Sequence, residues 1–203
     1  MPPRSSQWLM TAAFVIVCSS SAVAQEAYLQ QIGSHNGAAN VAFGAKHMQS
    51  VFQAGQRNVG AQISSGSRNS SALIQAGVQN SALTVNQGSL NAALAVQVGG
   101  LNSSFIGING HRNTVGLYQQ GVWNQSSVTV TGNDTDVSVS QFGVGKRLAL
   151  NVSDQMVRSS SSPTTNSRSP SGRFKVGVIQ GRSSAPASYS IARAPDGSIV
   201  INP

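Results

Sequence analysis

The sequence predicts an all-β protein: a β-solenoid of 22-residue strand-turn-strand repeats, each made of two 11-residue halves, with cross-β stacking and a partly disordered C-terminal tail. Three periodic features predict this fold. Glycine recurs at every eleventh residue, asparagine stands three residues after most of these glycines, and glutamine stands two residues before every other one. A fixed period of this kind is typical of solenoids, in which each repeat buries its apolar face by stacking on its neighbours.

The periodic residues define a row of turns and two sets of stacked amides. The turn glycines are Gly33, Gly44, Gly55, Gly66, Gly77, Gly88, Gly99, Gly110, Gly121, Gly132 and Gly143. The asparagines are Asn36, Asn58, Asn69, Asn80, Asn91, Asn102, Asn113 and Asn124. At the same position of the other three halves stand His47, Thr135 and Lys146. The glutamines are Gln31, Gln53, Gln75, Gln97, Gln119 and Gln141. At a stacking distance of roughly 4.7 to 4.8 Å, identical amides can hydrogen-bond along the stack as ladders.

Each half-repeat is predicted to be one strand and one turn. Side chains of a strand alternate between its faces, and positions 3, 5, 7 and 9 after each glycine share one face. We expect this face, which carries the asparagines, the glutamines and small or apolar residues, to be buried. In one half this set is Asn58, Gly60, Gln62 and Ser64. The turn is expected to run from about ten residues after one glycine to two residues after the next, because a tight corner favours glycine.

The string Gln, any, Gly, two residues, Asn, any, Ala resembles the curlin repeat of bacterial curli fibre subunits. It is visible from Gln31 to Ala38 and from Gln75 to Ala82, and the resemblance covers about 28–152. It implies an extracellular functional amyloid, a fimbrium or pilus of stacked rungs that polymerises end to end in cell adhesion and biofilm matrix. Curlin repeats usually carry a second glutamine nine residues after the glycine. Here those positions hold Ala42, Ser64, Asn86, Ile108 and Val130, so a main subunit, a nucleator and a cap all stay open.

Residues 1–24 are typical of a secretory signal peptide. Arg4 supplies the positive charge, Trp8 to Val17 the apolar segment, and Ala22-Val23-Ala24 a cleavage site before Gln25. An N-terminal membrane anchor is the alternative, although the apolar run is short for a spanning helix. The sole cysteine, Cys18, leaves with the signal peptide, so the mature chain has no disulfide.

The predicted solenoid covers residues 25–152, and the composition changes after it. Residues 153–173 form a Ser/Pro/Arg-rich linker, and residues 174–203 form a basic tail. In the tail, Pro195-Asp196-Gly197 is a turn signal between two short strand patterns, which predicts a terminal hairpin that either docks on the last rung or stays mobile. Only six residues separate the signal peptide from the first repeat glutamine, which leaves the export route open.

The sequence predicts no enzyme, no cofactor and no metal site. Only 9% of its residues are charged, and its histidines His35, His47 and His111 fall in separate turns without metal-ligand spacing. The acidic pair Asp134 and Asp136 supplies too few oxygens for a calcium site. No catalytic residue is therefore assigned.

Three function classes are compared. A structural fibre subunit or nucleator is favoured, a non-polymerising secreted β-solenoid adhesin that binds polyanions is the alternative, and a polysaccharide-active enzyme is disfavoured because carboxylates are few. The resemblance implies a location at the bacterial cell surface, and as partners further copies of the chain, related curlin subunits and an outer-membrane export pore. The mature net charge of about +7 favours acidic polysaccharide, lipopolysaccharide or extracellular DNA as further partners. No small-molecule substrate is predicted.

Overall fold

A computed structural model describes residues 13–18, 25–154, 173–181, 186–193 and 199–202. Three sequence-based predictions fall wholly or mostly outside this range: most of the signal peptide, the linker over 155–172 and the Pro195-Asp196-Gly197 turn.

The described residues form sixteen strands and no helix. The strands are β1 (Ala13–Cys18), β2 (Glu26–Ser34), β3 (Gly37–Ala45), β4 (Met48–Gln56), β5 (Val59–Ser67), β6 (Ser70–Val78), β7 (Ser81–Ser89), β8 (Ala92–Gly100), β9 (Ser103–His111), β10 (Thr114–Val122), β11 (Gln125–Asn133), β12 (Thr135–Val144), β13 (Arg147–Asp154), β14 (Phe174–Gln180), β15 (Ala187–Arg193) and β16 (Ile199–Asn202).

Consecutive strands alternate between two sheets. Sheet A has the order β1-β3-β5-β7-β9-β11-β13-β15-β16, and sheet B has the order β14-β12-β10-β8-β6-β4-β2. Within the repeats each strand pairs in parallel with the strand 22 residues further on, so that Gln53 lies beside Gln75 and Gly55 beside Gly77. One strand from each sheet makes a rung. The predicted β-solenoid of 22-residue turns is confirmed, with about six turns.

The narrow interior between the sheets holds the side chains that were expected there. In β5, Gly60, Gln62 and Ser64 are buried, whereas Ala61 and Ile63 on the other face are partly exposed. The interior changes along the stack. One column of sheet A passes from the polar residues Asn40, Gln62 and Thr84 to the apolar residues Ile106, Val128 and Leu150, all of them buried.

The corners are tighter than the sequence predicted. Strands β2 to β11 each continue one residue past the recurring glycine, and the chain turns at the next two residues, or at Asp134 alone between β11 and β12. The first of these has a left-handed backbone although it is not glycine, as in Arg57 (φ 55°) and Trp123 (φ 60°). The glycine itself is required by close stacking, because a Cβ on Gly77 (φ 127°) would collide with the carbonyl oxygen of Gly99 in the next rung.

The tail continues the stack beyond the periodic repeats. β14 pairs in parallel with β12, and β15 pairs in parallel with β13, which together make a seventh rung. Arg193 of β15 lies 3.9 Å from Asp154, and both side chains are buried. β16 then pairs antiparallel with β15, so that the parallel order of sheet A ends there. At the other end, the backbone of β1, inside the predicted signal peptide, pairs with β3.

We expect Gly77→Ala to destabilise the solenoid by roughly 3 kcal/mol or more, because it combines a strained φ with a backbone collision. Gly116→Ala is the matched control, since a Cβ there has no atom within 4 Å. Urea unfolding followed by circular dichroism measures both. Equal stability of the two variants would contradict the close-stacking explanation.

Thr84→Val should stabilise the protein by about 1 kcal/mol, because the buried Thr84 hydroxyl has no hydrogen-bond partner among the described residues. Thr135→Val should have the opposite effect, since the equally buried Thr135 hydroxyl donates to the carbonyl of Asn133 at 3.2 Å. The pair is compared by thermal unfolding at one scan rate. Destabilisation by Thr84→Val would show that its hydroxyl is satisfied in solution.

Candidate functional site

The glutamine ladder runs through the interior of sheet B. The Nε2 of Gln53 donates one hydrogen bond to the Oε1 of Gln75 (2.7 Å) and a second to the carbonyl of Gly37 across the interior (2.9 Å). The same two bonds recur at Gln75, Gln97, Gln119 and Gln141. Each amide therefore joins successive rungs and also ties sheet B to sheet A.

Sequence reasoning missed one member of this ladder. Gln180 of β14 accepts a hydrogen bond from the Nε2 of Gln141 (2.8 Å) and donates one to the carbonyl of Arg147 (3.1 Å). It follows Gln141 by 39 residues instead of 22, so the period did not reveal it. The available signal was the alternating strand pattern of residues 174–180, which ends in a glutamine followed directly by Gly181.

The asparagines form two ladders, one at each corner of the solenoid. At the corner that follows sheet B, the Oδ1 of Asn58 accepts from the backbone N–H of Asn80 (3.1 Å). The Nδ2 of Asn58 donates to the carbonyl of Gly77 in the next rung (3.0 Å) and to that of Ala54 in its own rung (3.2 Å). The asparagine thus binds the same glycine carbonyl whose approach excludes a Cβ, which explains why the two residues recur together. The members at this corner are Asn36, Asn58, Asn80, Asn102 and Asn124, and those at the other are Asn69, Asn91 and Asn113.

His47 replaces asparagine in the second corner ladder and makes two of the hydrogen bonds that asparagine makes elsewhere. Its Nδ1 accepts from the backbone N–H of Asn69 (3.4 Å), and its Nε2 lies 3.0 Å from the carbonyl of Phe43. Since a carbonyl only accepts, this geometry assigns the proton to Nε2 of the imidazole. The buried ring therefore replaces the asparagine's bond to the next backbone N–H and its bond within the rung, but not its bond to the glycine carbonyl of the next rung, and His47 is a structural residue.

The remaining polar groups considered in the sequence do not converge on one site. Asp134 is paired with Arg112 (2.8 Å), and Asp136 with Arg173 (3.2 Å). Within the described ranges, no three His, Cys, Asp or Glu side chains cluster so as to hold a metal ion. The same part of the chain contains no helix long and apolar enough to cross a membrane.

The two sheets end differently. Among the described residues, sheet B begins at β2 and ends at β14 with no strand beyond either, whereas sheet A carries β1 outside β3 and β16 outside β15. An edge strand presents unpaired backbone N–H and C=O groups, which can pair with a strand of another chain. The glutamine ladder spans sheet B from one of its edges to the other, from Gln31 to Gln180.

Fold and ladders together define a two-sheet β-solenoid repeat protein whose rungs are joined by buried amides. Residues 110–143 match the family model described as curlin associated repeat, which confirms a curlin-type repeat in this part of the chain. No curated protein and no solved structure matches the chain. Curlin proteins are in general extracellular subunits that self-associate into curli fibres, and the family is not enzymatic in kind.

Gln53→Ala should cost roughly 1 to 3 kcal/mol for each group that it leaves unsatisfied, because Gly37, Gln31 and Gln75 all lose a buried partner. Arg57→Ala, at an exposed corner, should cost far less. Arg57→Gly should be stabilising by about 0.5 to 1 kcal/mol, because Arg57 has a left-handed backbone. Chemical unfolding of the three variants in parallel tests this order. Equal losses in Gln53→Ala and Arg57→Ala would contradict the assigned faces.

Proposed function

We propose that this protein is a structural subunit of an extracellular curli-type amyloid fibre that acts in cell adhesion and biofilm matrix. One observation carries the proposal: in the part of the chain that the structure describes, a continuous ladder of amides ends at an open strand edge on both sides of sheet B. Stacking of in-register parallel strands is the arrangement of cross-β fibres. At an open edge of this kind, the next chain can bind through the same backbone and amide hydrogen bonds that join rungs within the chain.

The proposal includes secretion and export. The predicted signal peptide directs the chain out of the cytoplasm, and the curlin resemblance favours an outer-membrane export pore and related curlin subunits as partners. The fibre would be assembled at the bacterial cell surface. Among the roles of main subunit, nucleator and cap, the non-repetitive seventh rung favours a specialised subunit, because that rung makes the two ends of this chain differ.

A second candidate function is binding of polyanions by a solenoid that does not polymerise. The observation in its favour is the basic charge at the corners near the N-terminus, where Lys46 and Arg68 are exposed in successive rungs of one corner and Arg57 is exposed at the other. Exposed positive charge attracts acidic polysaccharide, lipopolysaccharide or DNA over a distance of about 8 Å at physiological ionic strength.

We expect the chain that begins at Gln25 to form thioflavin-positive fibres over hours, with a diffraction reflection near 4.7 Å, because growth repeats the strand spacing of the solenoid. Preformed fibre should shorten the lag phase. A stable monomer under these conditions would contradict the fibre proposal.

For the second candidate, we expect the Lys46→Gln/Arg68→Gln variant to elute from heparin at lower salt than the unsubstituted chain, because two exposed charges are lost. Under the fibre proposal the same variant should form fibres at an unchanged rate, because both side chains lie at an exposed corner. A monomer that binds heparin with strong salt dependence and never forms fibres would favour the adhesin over the fibre subunit.

A further inference from the structure

We propose that successive copies join through one particular contact, in which β14 of one copy pairs in parallel with β2 of the next, with Gln180 beside Gln31, and that β16 is a displaceable cover over the sheet A half of that same end. The inference rests on the proposed fibre function and specifies its joint. β14 lies outside the periodic repeats, so the joint is built by the tail of this chain.

The glutamine ladder sets the register of the joint. Gln31 starts the ladder by donating to Gln53 (2.6 Å), and Gln180 is its last member, accepting from Gln141 (2.8 Å). A second copy placed with Gln31 next to Gln180 continues the column of identical amides at the spacing used inside the chain. A shift of one residue would turn every side chain of β2 to the wrong face, and the buried face therefore excludes it.

Charge at the outer face fits the same register. Six residues of β14 up to Gln180 and six of β2 up to Gln31 then lie side by side, which places the exposed Lys175 beside the exposed Glu26. Inside the chain Lys175 is already paired in register with Asp136. The column would run Asp136, Lys175, Glu26, with charges that alternate in sign, which is favourable between neighbouring strands.

Apolar and small residues fit this register as well. Val178 and Leu29 become neighbours on the interior face, and both pack against the hydrophobic core as partly buried residues at its two ends. On the outer face the exposed ring of Tyr28 lies beside Gly177, where the structure has open space. Four positions of the two strands are thus complementary in one register without any change in either strand.

Sheet A cannot join in the same way while β16 is in place. In a full joint β3 of the next copy, freed of β1 by removal of the predicted signal peptide, would pair with β15, but β16 occupies that edge. The cover is short: it pairs through four residues, whereas interior strands such as β7 and β9 pair through nine. Its Val200 and Ile201 are also exposed, so these two side chains bury little apolar surface. A short antiparallel strand of this kind is the element that an incoming strand can replace at lowest cost.

A cysteine pair tests the register in the chain that begins at Gln25, which contains no native cysteine. Gln30→Cys and Ile179→Cys lie on the exposed outer face and would be direct neighbours in the joint, at a Cα separation of about 5 Å, within the range for a disulfide. Fibres of the double variant, grown reduced and then oxidised, should give disulfide-linked multimers on a non-reducing gel. The matched control Tyr28→Cys/Ile179→Cys, two residues out of register, should not.

The charge is tested by Glu26→Lys, which would place two lysines together in the joint and has the uncharged Met48 as its neighbour within the chain. Seeded growth should slow several-fold at low salt and recover at 1 M salt, where the screening length falls to about 3 Å. Glu26→Gln, which removes the charge without reversing it, should slow growth less. A salt-independent effect, or equal slowing by the two variants, would overturn the Lys175–Glu26 contact.

The cover is tested by a chain that ends at Arg193 and lacks β16. Seeded growth should be several-fold faster, with the cysteine cross-link unchanged; an unchanged or slower rate would overturn the role of β16. Fibres in which Gln30→Cys/Ile179→Cys does not cross-link would overturn the joint and leave the fibre function standing. A complete absence of fibres from the unsubstituted chain would overturn the fibre function itself.

Discussion

The carbonyl oxygen of the recurring glycine is the contact on which the solenoid depends. It approaches the glycine of the neighbouring rung so closely that no Cβ fits, and it accepts a hydrogen bond from the asparagine of that rung, as Gly77 does from Asn58 (3.0 Å). The backbone then turns through a left-handed residue such as Gln79 (φ 57°). Backbone groups at a corner that faces a narrow interior have to be satisfied, and this arrangement satisfies them with the same two residues wherever asparagine follows the glycine.

A corner that repeats with few exceptions allows the interior to vary. The glutamine column of sheet B is constant, whereas one interior column of sheet A changes from Gln62 and Thr84 to Ile106 and Val128. Buried polar atoms without a partner among the described residues, including those of Asn40 and Thr84, are concentrated in the N-terminal half. The apolar C-terminal half gains more from burial, because apolar surface is removed from water without an unsatisfied group. Stability along the stack is therefore uneven, with the C-terminal rungs the stronger.

The seventh rung makes the two ends of the solenoid different. Periodic rungs alone would present similar strands at both ends, and a stack of such molecules would have two comparable growing edges. Here β14 ends sheet B with Gln180 of the ladder, while β16 covers sheet A with a strand of opposite direction. The buried Arg193 near Asp154, with its guanidinium over the ring of Phe174 (5.9 Å), holds β15 and β14 to the last repeat. One end thus combines an open half and a covered half, as the proposed joint between copies requires.

The sequence by itself determined the solenoid, its 22-residue period and the inward face of each strand, because a strict repeat of glycine, asparagine and glutamine leaves one way to stack like residues on like. It also determined that Gln53 and Asn58 belong to ladders. Only the tertiary structure decided that the corner lies after the glycine. The residues with left-handed backbone there are as different as Arg57, Leu101 and Trp123, so no shared residue type marks the position in the sequence. It alone placed Gln180 in the ladder. Gln180 follows Gln141 by 39 residues, so the 22-residue period does not reach it, but the pairing of β14 with β12 brings it next to Gln141. It alone decided which edges are open, since the cover of an edge depends on strand direction, which a strand pattern does not specify.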